Sequence, residues 1–224
     1  PNIPDISVPL GKDSNENVEI KKYGDIKKFE FKPKNHLDLC LNLDLIDIPR
    51  AAKVSGSRFY YLKNELVTLN YALIKFSLDF LNNKGFNLIQ PPYMLNRKAM
   101  EGGVIISDFS DVIYKIENED LYMIATSEHA LLSMHMDEIL TSKDLPIRYA
   151  GISPCFRKEA GSHGKDTKGI FRTHQFEKVE MYKLCTPEQS SVELQSLIEI
   201  TPFLVTEKNG RLTQETLLIS SVYI

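Results

Sequence analysis

The chain has 224 residues, of which 42% are hydrophobic and 25% charged, with a net charge of -3 and a pI near 6.0. That apolar share suffices for a sizeable core in one large domain or two small ones, and the mildly acidic balance excludes the basic field that coats a polynucleotide by counterion release. Cys40, Cys155 and Cys185 lack paired spacing, which argues against a disulfide framework or a four-cysteine zinc site, and no apolar run reaches the ~18 residues of a membrane span.

The opening residues Pro1-Asn2-Ile3-Pro4 have neither the charged start nor the apolar centre of a signal peptide, so the cytoplasm is the expected location; the missing initial methionine suggests that something upstream was removed. Residues 1–30, with prolines, asparagines and a charge-rich run from Lys12 to Lys28, read as an irregular surface lead-in with one short strand at most. From Leu62 the residues Leu62, Leu66, Leu69, Leu73, Phe76 and Phe80 recur at steps of four and three, which lays them on one helical face. Gly85 suits the left-handed stop of that helix, and Phe86 to Met94 resumes as a strand that Pro91-Pro92 confines to an edge or a strand end. A second helix is expected from about Glu128 to Leu140, capped by Thr126 or Ser127, with Leu132, Met136 and Ile139 or Leu140 inward, and Pro146 stops its continuation. Ile147 to Glu159 and Phe171 to Leu184 then read as two strands joined by the Gly- and charge-rich loop 161–169.

In extended strands, period-two geometry puts Arg157 and Glu159 on one face of the first arm and Arg172, Phe176 and Glu180 on one face of the second. Two guanidinium groups, an aromatic ring and carboxylates then converge. Guanidinium groups clamp phosphates, a flat ring stacks on adenine, a carboxylate accepts amino protons, and another carboxylate can hold an ammonium group. The plain alternative is an exposed hairpin whose charges solvate it, with Phe176 in the core, Arg172 paired to Glu159 and Thr126 a simple cap. The five histidines, His36, His129, His135, His163 and His174, show no HExxH spacing, so no catalytic zinc is expected.

The string FRKEAGSHGKDTKGIFRTHQFEKVE resembles motif 2 of the class II aminoacyl-tRNA synthetases in its seryl version. The helix and strand ending at Pro91-Pro92 resemble motif 1, Thr126-Ser127-Glu128 looks like the Thr-x-Glu segment that contacts serine, and residues 1–195 or so align in order. The resemblance implies an α+β fold, an antiparallel sheet flanked by helices, with motif 1 at about 55–94 and motif 2 at about 150–184 in a partial catalytic domain 1–200. Residues 201–224 depart from the family pattern. By the same likeness Arg157 contacts the α-phosphate and the serine carboxylate, Glu159 the adenine amino group, Arg172 the outer phosphates, and Phe176 stacks on adenine. Thr126, Glu128 and Glu180 surround L-serine, with Glu180 on its ammonium and hydroxyl groups; Thr173 lies beside ATP through its backbone, and Lys158 and Ser127 are neighbours.

The implied reaction is serine activation by ATP, with the α-carboxylate attacking the α-phosphorus, followed by transfer to tRNA(Ser). Arginines and Mg2+ would stabilise the phosphoryl charge, with the Mg2+ ligands and the motif 3 arginine expected in a C-terminal part not found here; the family's N-terminal helical arm that grips the tRNA is not found before Pro1 either. A homodimer through motif 1 is implied too. The competing readings are a silent nucleotide- or serine-binding or dimerisation module, a ligase loading a carrier protein, and the threonyl enzyme, which the lack of a zinc pattern weakens.

Overall fold

A computed structural model of the chain describes residues 8–19, 29–159, 169–206 and 220–223. Its contacts divide into two units, Pro1–Phe31 and Lys32–Ile224. The first holds a 3-10 turn at Ser14–Glu16, where the Asn15 amide donates to Asp13 Oδ1 and the Lys12 amide to Glu16 Oε2; its described residues include no strand. The remainder of the charge-rich lead-in and most of the loop 161–169 lie outside the described residues.

The second unit begins with α1 (His36–Asn42), capped by Asn35, whose side chain accepts from the Asp38 amide. β1 (Ile46–Asp47) leads into α2 (Ile48–Ser55), and β2 (Tyr61–Leu62) returns to pair antiparallel with β1. α3 (Glu65–Asn83) is the long helix expected from the leucine spacing, but it starts three residues later. Leu62 belongs to β2 opposite Ile46, and Asn64, with φ at 51°, turns the chain between strand and helix. The buried stripe is also rotated: Ser77 and Leu81 are fully buried, whereas Leu69 is 51% exposed. Gly85 ends α3 as expected, at φ 82°, with its amide on Asn82 O and the Phe86 amide on Leu81 O.

Pro91-Pro92 separates two strands. β3 (Asn87–Ile89) stays on the edge of the main sheet, and β4 (Met94–Asn96) pairs with β5 (Leu121–Met123) in a small second sheet. Between those two strands run α4 (Arg97–Gly103) and the short α5 (Ile106–Phe109). Leu95, Ala99, Met100, Ile113, Tyr122 and Ile124, in a stretch where the sequence pattern names no element, form a satellite core there with Ala130 of the next helix. α6 (Ser127–Ser133) begins where the Thr126 cap was expected but stops after two turns. Ser133 Oγ turns back onto the carbonyls of His129 and Ala99, His135 stacks on Tyr149, and Asp137 adopts φ 65°. The expected inward residues Met136 and Ile139 are consequently exposed, Ile139 at 96%.

β6 (Ile147–Phe156) and β7 (Gln175–Leu184) pair antiparallel over ten residues, from Ile147 opposite Leu184 to Phe156 opposite Gln175. Both strands are shorter than expected at the loop end. The Lys158 amide leaves for Val112 O, the His174 amide for Arg58 O, and Glu159 takes φ 51°. α7 (Ser190–Thr206) follows, and β8 (Ser220–Tyr223), inside the stretch 201–224, adds to β7 in parallel. The sheet order is β3-β6-β7-β8, an antiparallel central pair with parallel outer strands, so the fold is α+β with helices against a sheet.

One sheet face carries Ala150, Val179 and Met181 against Leu81 of α3, Phe86 and Leu197 of α7. Lys183, 2% exposed, pins α7 by donating to Glu193 and Ser196; burial raises the Glu193 carboxyl, but Lys183 and Arg148 bring it below its ordinary value. The other face receives α6, and Gly151 sets that approach. A Cβ there would lie 2.8 Å from Ser127 Oγ and 2.9 Å from Leu131 Cδ1. Gly151→Ala is expected to lower stability by ~1–3 kcal/mol in urea unfolding, since packed atoms must move; an unchanged midpoint would contradict this packing account.

Candidate active site

Because Gly151, Ser153 and Cys155 pair with Glu180, Lys178 and Phe176, these six positions share one sheet face, the one that receives α6. On it Glu180 is wholly buried. Its Oε2 accepts from Thr126 Oγ1 at 2.6 Å, Ser127 Oγ at 2.7 Å and the Glu128 amide at 3.1 Å, so the start of α6 closes around one carboxylate oxygen. An anion at a helix start also meets the amide dipoles there. The second oxygen, Oε1, has the Lys178 ammonium at 2.9 Å as its ionic neighbour, yet no hydrogen bond of good geometry reaches it. Lys178 also donates to Thr126 Oγ1. Thr126 therefore uses its only proton on Glu180 and accepts from Lys178, and acceptor capacity on Glu180 remains on Oε1 alone.

At the loop end of the same face, the Arg157 guanidinium lies over the Phe176 ring, 5.2 Å from its centroid, and donates through Nε to Ala125 O at 3.2 Å. Arg172 meets Glu159 at 3.6 Å at the rim, in irregular chain beyond the strands, so strand periodicity does not place it. Thr173 is buried and its hydroxyl donates to Gln175 O. Lys158 turns away, its ammonium donating to Ser110 O at 2.9 Å. Thr126, Ser127, Glu128, Arg157, Phe176 and Glu180 are thus gathered around one face, Arg172 and Glu159 stand paired at its edge, and Lys158 joins a neighbouring loop.

The sequence reading missed three residues. Lys178 lies between Phe176 and Glu180 at the same period of two, which was the available signal. Gly151 was identifiable only from its partner across the strands. His129 is 6% exposed with Nδ1 lacking a hydrogen-bond partner. Burial pushes its imidazole down to about 4; Glu180 pulls it up, and Lys178 and Arg157 add to the lowering.

Among the described residues no group of three or more His, Cys, Asp or Glu side chains is placed to hold a metal. Glu180 is surrounded by donors and Glu159 is paired with Arg172, so these two carboxylates do not fit a Mg2+ site. No helix among the described residues is long and apolar enough to cross a membrane.

A family profile described as "tRNA synthetase class II core domain (G, H, P, S and T)" matches residues 112–205, which include α6, β6, β7 and the whole set of side chains just described. That part of the chain matches the class II aminoacyl-tRNA synthetase core. Its curated relatives include the serine–tRNA ligase of Nitrosopumilus maritimus, 58% identical over 200 residues that cover 89% of this chain and 48% of that protein. The Archaeoglobus fulgidus serine–tRNA ligase is 51% identical over 219 residues, with 89% of this chain and 48% of that one covered. The crystal structure of seryl-tRNA synthetase from Pyrococcus horikoshii complexed with ATP superposes with a TM-score of 0.84 at 52% identity, covering 89% of this chain and 49% of the other. The cytoplasmic serine–tRNA ligase of Naegleria fowleri in complex with AMP gives 0.83 at 33% identity, covering 88% and 48%. Within the class, this chain is similar to the seryl-tRNA synthetases over 89% of its own length, and it spans about half the length of the curated relatives it matches.

The neutral state of buried His129 has a measurable consequence. Its native pKa lies below the unfolded value of about 6.5, so the unfolded chain binds a proton that the native chain refuses. The stability contributed is complete above about pH 6.5 and falls as the pH drops toward about 4, by roughly 3 kcal/mol at most. His129→Gln is expected to flatten the thermal-midpoint profile between those limits relative to the parent protein; parallel profiles would contradict the assignment.

Proposed function

We propose that this chain is the ATP- and serine-binding part of a serine–tRNA ligase that makes seryl-adenylate and passes serine to tRNA(Ser). The observation that carries the reading is the buried Glu180 carboxylate, with one oxygen saturated by α6 and the other oxygen beside Lys178 still able to accept. A substrate ammonium or hydroxyl group that displaces the packing over this buried oxygen meets an acceptor there, and a few residues along the same strand face Arg157 and Phe176 offer a cation and a ring.

In this reading the serine carboxylate attacks the α-phosphorus of ATP and pyrophosphate leaves. An α-carboxyl group with a reference pKa of about 3.5 is already ionised at neutral pH, so no protein base is needed. Arg157 neutralises charge on the α-phosphate and the attacking carboxylate, Arg172 meets the outer phosphates after parting from Glu159, and Glu159 turns to the adenine amino group. Phe176 stacks on adenine, with Thr173 beside the nucleotide through its backbone and Lys158 a neighbour. Thr126, Ser127 and Glu128 hold Glu180 in place for serine. Alanine would leave a buried acceptor unmatched, a loss of ~1–3 kcal/mol.

The exposed apolar side chains of α3, Leu69 and Tyr71 among them, support a homodimer formed through this helix. A cytoplasmic location accords with the absence of a membrane-crossing helix among the described residues. Mg2+ is expected to be held by residues beyond those described.

A full-length protein carrying this chain is expected to exchange pyrophosphate with ATP when serine is supplied and not with alanine or threonine. Arg157→Ala is expected to reduce that exchange by about a hundredfold or more. Exchange driven equally by alanine or threonine would overturn the reading.

A further inference from the structure

We propose that His174 is a positioning residue for activation, its side chain completing the strand ladder at Arg157 and so fixing that arginine; the inference rests on the serine-activating role proposed above. The register that pairs Phe156 with Gln175 makes Arg157 and His174 the next pair outward. Neighbouring antiparallel residues of the hydrogen-bonded kind exchange two amide–carbonyl bonds. Here the first is present, from the Arg157 amide to His174 O at 3.0 Å. The reciprocal amide, that of His174, is diverted to Arg58 O at 3.2 Å. In its place His174 Nδ1 reaches Arg157 O at 2.8 Å. A carbonyl only accepts, so Nδ1 carries the proton, with Tyr114 Oη 3.0 Å away sharing the same donor.

The imidazole thus replaces its own backbone amide in the ladder, and the freed amide holds the loop before α3. Phe59 of that loop lies over the imidazole, with ring centroids 5.0 Å apart, and Arg58 Nη1 donates to Glu159 O at 2.6 Å. Immediately afterwards the Lys158 amide bonds Val112 O, outside the sheet. Arg157, one residue past the end of β6, is therefore the last position on its arm with any cross-strand support, and half of that support is one side-chain proton.

Asn and Gln separate this role from packing. The Asn amide nitrogen stands where Nδ1 stands, whereas that of Gln reaches the place of Nε2. Serine-dependent pyrophosphate exchange should be measured in the full-length protein for His174→Ala, His174→Gln and His174→Asn, with circular dichroism melts to establish folding. Ala and Gln are expected to lose roughly tenfold to a hundredfold in kcat with a smaller change in the KM for ATP, as misplacement of a catalytic group does, while Asn restores most of the rate. Should Ala fail to fold, the Asn–Gln comparison decides alone. Equal losses in Asn and Gln, or parental rates in all three, would overturn the inference. An inactive parent protein would instead condemn the serine-activating reading.

Discussion

A carboxylate and an ammonium group, both shielded from water two positions apart on one strand, govern how this molecule is put together. Removing Lys178 and Glu180 from water costs several kcal/mol per ion before any compensation. The compensation is local and dense: the ion pair itself, two hydroxyl donors, a backbone amide and the Lys178 bond to Thr126. Each of these partners is fixed by another constraint. Thr126, Ser127 and Glu128 are the start of α6, and α6 sits close enough only because position 151 has no side chain. A buried charge that loses its partner is strongly destabilising, so the network ties the fold of this region to the geometry of the candidate site.

The outer half of the site is held differently. Beyond the Arg157–His174 pair the two arms stop supporting each other, and their amides borrow from the surroundings, that of His174 from Arg58 before α3 and that of Lys158 from Val112 before β5. This is why Arg157, Glu159 and Arg172 stand where they do although none lies in a strand. The arrangement also links the loop preceding α3 to the arginine that faces Phe176, through bonds made by the backbone and ring of His174.

Much of this was legible in the residues. The spacing from Leu66 to Phe80 marks α3, Gly85 its end, the diproline the division between β3 and β4, and Thr126 the start of α6. The two long strands and the convergence of Arg157, Phe176 and Glu180 follow from period two. The misses have physical causes. Helical spacing continues past Ser133, but a hydroxyl turned back onto its own helix and a ring stack between His135 and Tyr149 end α6 early. Strand alternation continues through Glu159 and Arg172, but backbone partners from elsewhere in the chain end the ladder, and no local pattern announces them. Lys178 was hidden by its charge: a lysine on a strand reads as solvated until its burial among Glu180 and Thr126 is seen.

The most direct measurement is a crystal structure of the full-length protein with a non-hydrolysable seryl-adenylate analogue. The account predicts the serine ammonium or hydroxyl group within hydrogen-bonding distance of Glu180 Oε1, Oε2 still held by Thr126 and Ser127, and the adenine ring against Phe176. An analogue bound with Glu180 untouched and its serine group on other residues would contradict it.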